Sequence, residues 1–437
     1  MSFKDHILSS FIALENEVDT NSYVHNLRSE ALTDFEHLGI PQRREEAYKY
    51  TSLKSLFNKD YSLFPKKETD ISYGDIKKYL VHQIDAYRVI FIDGIYSSHL
   101  SQTTHDKFDV CLMSSTLNDP KYAPVIENYY NKLAAKNGLT SLNTAFAKEG
   151  AYIHIGKNIA VEKPIEIVYF STGNEAELMI QPRNLVVVGE NSQVQIIERH
   201  QSLSDNAVLT NSVTEIYADK RSLVDWYKIQ NDRLSASLID HTFVEQKDNS
   251  EVRVHTFSFG GKLTRNNLNF YQRGEHCNSV LNGVTIIQGK QHVDHSTLVH
   301  HTAPNCESFQ EYKQIFDDRS VGVFHGKVLV DRIAQKINAY QQNNNILVSD
   351  TSTINAKPQL EIFADDVRCS HGCTIGQLDD EALFYMRARG IPKKEARALL
   401  MFAFANSVLE TVRIPEIKSR ITKLIATKLS VEIGFDL

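Results

Sequence analysis

Cys369, His371 and Cys373 place a thiol, an imidazole and a second thiol at alternate positions along the chain. Sulfur and imidazole nitrogen are the soft and borderline donors that bind transition metals. Side chains two apart on a β-strand share a face, so an extended segment here would present all three together. Three ligands do not close a zinc site, and no second Cys-x-x-Cys pair completes one. Two readings stand on the spacing: ligation, or a buried thiol packed under a turn with His371 hydrogen-bonded to backbone. The segment lies where a β-rich region meets a helical tail, which points to assembly with partners as readily as to catalysis.

Other groups with chemical potential are less ordered. His292, His295, His300 and His301 form an imidazole-rich run. On one strand His295 and His301 share a face, as do His292 and His300, and the run reads as a surface row on a polar β face. Asp365-Asp366 is a candidate carboxylate pair for acid–base work on a polysaccharide, with Glu361 on the same face as Asp365. Adjacent strand residues point oppositely, which weakens that pair. The chain contains no G-x-S-x-G, Walker A, G-x-G-x-x-G or H-E-x-x-H pattern, so nothing marks it as a nucleotide-using enzyme in its own right.

Three regimes must position these residues. To about residue 85 the chain reads helical. Val24, Leu27, Ala31, Phe35 and Leu38 recur at helical steps and Gly39 stops them, while Leu53 and Phe57 continue the apolar face. Pro65-Lys66-Lys67-Glu68 reads as an exposed linker. A transition follows, with a strand at Val89–Ile92, a turn at Asp93-Gly94, and helices near Val125–Ala135 and Ser141–Lys148. From Tyr152 to Phe363 the alternation is period two, in short strands separated by polar turns such as Gly260-Gly261 and Asp317-Asp318. A sandwich, barrel, propeller or solenoid fits that pattern. The steady recurrence without long crossovers favours a solenoid, with Asn343-Asn344-Asn345 stacking at its corners. The last regime is helical. Asp379 or Asp380 caps a helix that Gly390 stops, and Pro392 opens a second with Ala396, Leu399, Leu400, Ala403, Phe404 and Val408 as its stripe. A third helix opens at Pro415. The expected domains are 1–88 (helical), 89–151 (transition), 152–366 (β core) and 367–437 (helical).

Composition bounds the function. The net charge of −6 argues against a general nucleic-acid surface, which must be basic. No apolar run reaches a membrane span, and the N-terminus lacks a signal-peptide core. Five scattered cysteines suit free thiols in a reducing compartment, so the expected location is cytoplasmic.

The segment Lys357–Gly372, followed by Gly376-Gln377-Leu378-Asp379 and Leu383–Ile391, resembles the SufB/SufD family of the SUF iron–sulfur cluster assembly machinery. The Cys369-Ser370-His371-Gly372 form is similar to its SufD branch. The resemblance covers most of the chain. It extends to Tyr48-Lys49-Tyr50-Thr51, Leu142-Asn143-Thr144-Ala145-Phe146 with Gly150, Pro164-Ile165, Arg183-Asn184, Val323–Lys327 and Gln335–Gln341.

That resemblance implies a mainly β fold, a right-handed parallel β-helix (solenoid) flanked by N-terminal and C-terminal α-helical domains. It implies a non-catalytic scaffold that pairs edge-on with SufB and carries the SufC ATPase on its C-terminal helices. A transient iron–sulfur cluster would form at the SufB–SufD seam, and ATP would act only through SufC. His371 falls on the family's seam histidine and Cys369 on its neighbouring thiol. Cys373 stands where the family often has a small residue and is the weaker candidate. SufC docking falls on Leu383, Phe384, Tyr385, Arg389, Gly390, Leu399 and Phe404. Flavin is associated with the assembled complex, and this chain carries no flavin motif. Without its partners the same edge could pair two copies of the chain. The alternatives are a β-helix polysaccharide-active enzyme and a stand-alone zinc protein.

Overall fold

The computed structural model describes residues 3–16, 22–65, 69–81, 84–103, 107–117, 119–174 and 177–429. Residues 66–68 of the expected linker lie outside the described residues. The helices are α1 (Phe3–Glu15), α2 (Tyr23–Leu38), α3 (Tyr73–Ile76), α4 (Met113–Leu117), α5 (Ala123–Tyr129), α6 (Gly138–Phe146), α7 (Asp380–Ala388), α8 (Lys393–Leu409) and α9 (Pro415–Leu429). The early strands are β1 (Tyr87–Ile92), β2 (Ile95–Tyr96), β3 (Asp109–Leu112), β4 (Ala151–Ile155), β5 (Ile165–Ser171), β6 (Leu178–Ile180) and β7 (Arg183–Val188). Then come β8 (Gln193–Ser202), β9 (Val208–Ala218), β10 (Leu223–Gln230), β11 (Ser237–Gln246), β12 (Glu251–Ser258), β13 (Leu263–Gln272) and β14 (Asn278–Ile287). The last are β15 (His292–His301), β16 (Glu307–Phe316), β17 (Val321–Val330), β18 (Ile337–Leu347), β19 (Thr353–Ile362) and β20 (Val367–Gly376).

From β8 onward successive strands alternate between two parallel sheets, which makes a β-solenoid flanked by helices at both ends of the chain. One column of in-register partners runs Glu251, Asn278, Glu307, Asn338, Arg368. The solenoid has no repeat motif because its corners are specified by backbone. Asn191, Arg221, Asn249, His276, Asn305 and Lys336 occupy the same corner in successive coils, all at positive φ. Asn191, Arg221 and Asn249 each donate the backbone N–H to a carbonyl of the next coil (Lys220, Asp248 and Glu275). Asparagine is the non-glycine residue most at ease there, but other types serve when neighbouring coils hold the turn. Asn343-Asn344-Asn345 lies elsewhere, inside β18, because the corner precedes that strand at Lys336.

Alternation sends one side chain of each pair inward. Near the start of the solenoid the interior is apolar, with Val194, Ile196 and Trp226. Further along the same strands it turns polar. Lys228 donates to Asp240 at 2.5 Å and lies 3.2 Å from Glu198, which also accepts from Trp226 and meets His200. Buried charges persist only when paired in this way. Sequence reading missed this network, although charged residues at inward-facing positions were its signal.

The N-terminal region is less helical than its pattern suggests. Helix α2 starts at Ser22, whose hydroxyl accepts from the His25 N–H, and ends at Gly39 with φ 64°. Beyond it, among the described residues, only the 3-10 turn Glu46–Tyr48 interrupts an irregular path before α3. Leu53 and Phe57 are buried as expected, but not on a helix. Tyr48-Lys49-Tyr50-Thr51 is instead a strap on the solenoid. Tyr48 stacks on the buried Arg265 guanidinium (4.1 Å), and Asp294 accepts from both Arg265 and Thr51. The helix expected at Val125–Ala135 ends at Tyr129, with Asn131 at positive φ. Helix α6 is clamped to the solenoid: the Asn143 amide donates to the carbonyls of Pro182 and Asn211, and Gly150 sits so close to Arg183 that a Cβ would strike its carbonyl.

At the other end α8 and α9 cover the outer face of the β10–β18 sheet. The buried face of α8 is Ala396, Ala398, Met401, Ala405, Val408 and Leu409. It is rotated from the expected stripe: Leu399, Leu400 and Phe404 sit at its margin and Ala403 is exposed. Small side chains let the helix lie close on the sheet, so its contact face is not its most hydrophobic one.

Candidate functional site

Among the described residues the solenoid ends in two edge strands: β20 pairs on one side with β18, and β19 on one side with β17. The β structure therefore continues past residue 366, and the Cys369/His371/Cys373 segment is a full ten-residue edge strand. A long free edge presents unpaired N–H and C=O groups to another chain. Apolar side chains flank it, with Phe363 62% and Ile375 51% exposed.

The register fixes which way the candidate ligands face. Cys369, His371 and Cys373 pair in parallel with Ala339, Gln341 and Asn343 of β18, all three buried. In-register neighbours share a face, so the three continue the interior row of the solenoid onto its open end. Cys369 is half-buried and packs against the apolar cluster that includes Val328, Val330 and Ala339. His371 is exposed, and the Cys373 sulfur lies 3.7 Å from the Asn343 side-chain oxygen. Burial pushes both thiols up from their ordinary value, so they are protonated near neutral pH. Among the described residues no group of three or more His, Cys, Asp or Glu side chains converges on a metal position.

The other candidates separate. His295 and His301 share a face as expected, but that face is the interior, not a polar surface. His295 meets Thr285 at 2.8 Å and His301 meets Ser308 at 3.1 Å. Their strand is central in a sheet that faces a second one, so His295, Thr297, Val299 and His301 point inside while Ser296, Leu298 and His300 lie half-buried on the outer face. His292 meets Thr51, and His300 pairs with Asp331 at 2.9 Å. Asp365 and Asp366 are exposed in the turn between β19 and β20, off any strand, so Asp365 shares no strand face with Glu361. Glu361 is tied to Lys327 at 2.7 Å, whose hydrogen bond holds its carboxyl below the usual range.

Helix α7 stands out from the body. Asp379 caps it, accepting from the Glu381 and Ala382 N–H groups, and Gly390 follows its end at φ 86°. Phe384 is 73% and Tyr385 61% exposed, and Leu383 is half-buried. Arg389 donates to the Tyr385 hydroxyl at 3.0 Å. Phe404 faces the other way, with the Lys313 ammonium 4.8 Å from its ring centre. The residues expected to dock a partner thus divide between an exposed α7 group, Phe404, which packs against the solenoid, and Leu399, half-buried on α8.

The fold is of the β-solenoid class, ending in a double edge with two thiols and an imidazole on its terminal rung, beside a helix whose Phe384 and Tyr385 are exposed. Two family descriptions match the chain: "SUF system FeS cluster assembly, SufBD core domain" over residues 170–404, and "SufBD protein N-terminal region" over residues 8–167. The chain belongs to the SufBD family of the SUF iron–sulfur cluster assembly system. It is 31% identical to an iron–sulfur cluster assembly SufBD family protein of Synechocystis sp., covering 93% of this chain and 92% of that one. It is 28% identical to the iron–sulfur cluster assembly protein SufD of Escherichia coli, covering 90% of each. The SufD of Bacillus subtilis is 24% identical over 98% of both chains. Among the described residues no helix is long and apolar enough to cross a membrane.

Proposed function

We propose that the chain is the SufD-type, non-catalytic scaffold of a cytoplasmic SUF complex. It pairs with SufB along the free strands β19 and β20, and binds the SufC ATPase through α7 and neighbouring residues. The observation that carries this reading is the position of His371 and the two thiols on the terminal interior rung, at an edge open to a second solenoid. A cluster is cargo here, so few ligands from each chain are an advantage: a cluster held by a closed set from one subunit would not be passed on. His371 is the ligand this chain offers first, with Cys369 and Cys373 as further sulfur donors once deprotonated by metal. The adjacent exposed Phe384 and Tyr385 support a docking role, since neighbouring exposed aromatic side chains are a common feature of partner surfaces. ATP acts through SufC, and any flavin is associated with the assembled complex.

Anaerobic co-expression with SufB and SufC tests the reading. A stable three-protein complex carrying iron and acid-labile sulfide is expected. A chain that stays alone beside partners that assemble and load clusters without it would overturn the proposal.

A further inference from the structure

One coil inward from His371 the solenoid interior contains polar groups that nothing satisfies. Gln341 is fully buried, and neither its side-chain oxygen nor its nitrogen has a hydrogen-bond partner among the described residues. Its amide reaches across to Gly326 of the opposite sheet, where any Cβ would collide with the amide nitrogen. Asn343 is also fully buried. Its oxygen accepts from Asn345 at 2.7 Å, while its side-chain nitrogen has no partner. Deeper in the coil amides keep at least one tie: Gln310, the in-register partner of Gln341, accepts from Thr297 at 2.8 Å although its nitrogen has no partner, Gln314 donates to Asn345 although its oxygen has none, and Gln230 bonds Asn266 and Ser258. Unpaired buried amides are costly and rare, so a pair of them directly beneath a candidate ligand row calls for an occupant.

We infer that Gln341 and Asn343 are positioning residues of the cluster site, their free amide N–H groups forming a neutral donor floor for the sulfide or thiolate sulfur of a cluster held at His371. The inference rests on the scaffold reading above and deepens it. Gln341 is the in-register partner of His371 and Asn343 that of Cys373, so the floor lies one strand spacing, about 4.8 Å, below the ligand row. Hydrogen bonds to cluster sulfur are a recognised means of holding a cluster and tuning it. A neutral amide supplies them without adding charge that would bind the cargo too firmly.

The experiment compares wild type, His371→Ala, Gln341→Met and Gln341→Glu in the co-expressed complex. Methionine keeps the volume and removes both polar atoms; glutamate keeps the shape and replaces the two amide N–H donors with a carboxyl that has at most one O–H. Each Gln341 variant is expected to assemble with its partners at wild-type stoichiometry. Each should retain at least five-fold less iron and sulfide, and lose its remaining iron to a chelator at least five-fold faster. The isolated Gln341→Met chain should melt at or above the wild-type temperature, since an unsatisfied buried amide has been replaced. Cluster content and chelator rates within two-fold of wild type would overturn the inference and assign the floor to ordinary water. So would a fall in melting temperature, which would mark the amide as structural. If wild type binds no cluster, or His371→Ala binds as much, it is the scaffold reading that fails.

Discussion

Arg183 and Glu215 meet at 2.6 Å in full burial, and through them the helical region before the solenoid is locked onto its sheet. Glu215 also accepts from the backbone N–H groups of Asn131, Leu133 and Ala134, and Arg183 donates to Thr144 of α6. Removing one partner of a buried pair leaves an uncompensated charge, at a cost of about 3–5 kcal/mol. Arg183→Leu should lower unfolding stability by that order in chemical denaturation. A loss below about 1 kcal/mol would mean that solvent reaches Glu215 and the lock is weak.

Acid should unfold the chain through its buried histidines. Burial holds His241, His255 and His301 to about 3 and His295 to about 4, against an ordinary value of 6.5. Between those values the unfolded chain takes up protons that the folded chain refuses, so stability falls as pH drops below about 6.5. Each histidine contributes on the order of 1.4 kcal/mol per pH unit. Urea unfolding at pH 7 and pH 5.5 should show a marked loss at the lower pH, partly relieved in His255→Asn. Equal stability at both values would contradict the neutral, buried assignment.

Charge on the exposed face of α7 should abolish partner binding and spare the fold. Phe384→Asp with Tyr385→Asp is expected to lose SufC in pull-down, with stability changed by under about 0.5 kcal/mol, as for surface positions generally. Retained SufC would move the docking surface elsewhere, with Leu399 the next candidate.

The free edge should also pair with itself when partners are absent. The isolated chain is expected to self-associate with concentration in sedimentation experiments, and Phe363→Asp should weaken that association at least ten-fold without altering the melting temperature. A chain that remains monomeric at high concentration would show that the edge does not serve as a general pairing surface.

The parts of this molecule that follow local rules were legible in the sequence. Period-two alternation marked the solenoid strands, Gly39 and Gly390 stopped their helices, and the parity of Cys369, His371 and Cys373 put them on one face. What escaped depended on the coil closing. Inside versus outside for His295 and His301 is fixed only when two sheets face each other, and a polar interior inverts the usual reading of polar residues as surface. The corners carry Asn, Arg, His and Lys alike because hydrogen bonds between coils impose the positive φ, so no repeat surfaces in the sequence. The α8 face was misjudged because a helix lying close on a sheet favours Ala398 and Ala405 over Leu399 and Leu400.

The most direct test of the central claim is iron and acid-labile sulfide in the anaerobically purified complex with His371→Ala in place of the wild-type chain. His371 is exposed on the last strand and supports nothing beneath it, so the variant should fold and assemble normally. The account predicts an intact complex with its cluster content reduced at least ten-fold. A His371→Ala complex carrying wild-type iron and sulfide would contradict it and remove this edge from cluster assembly.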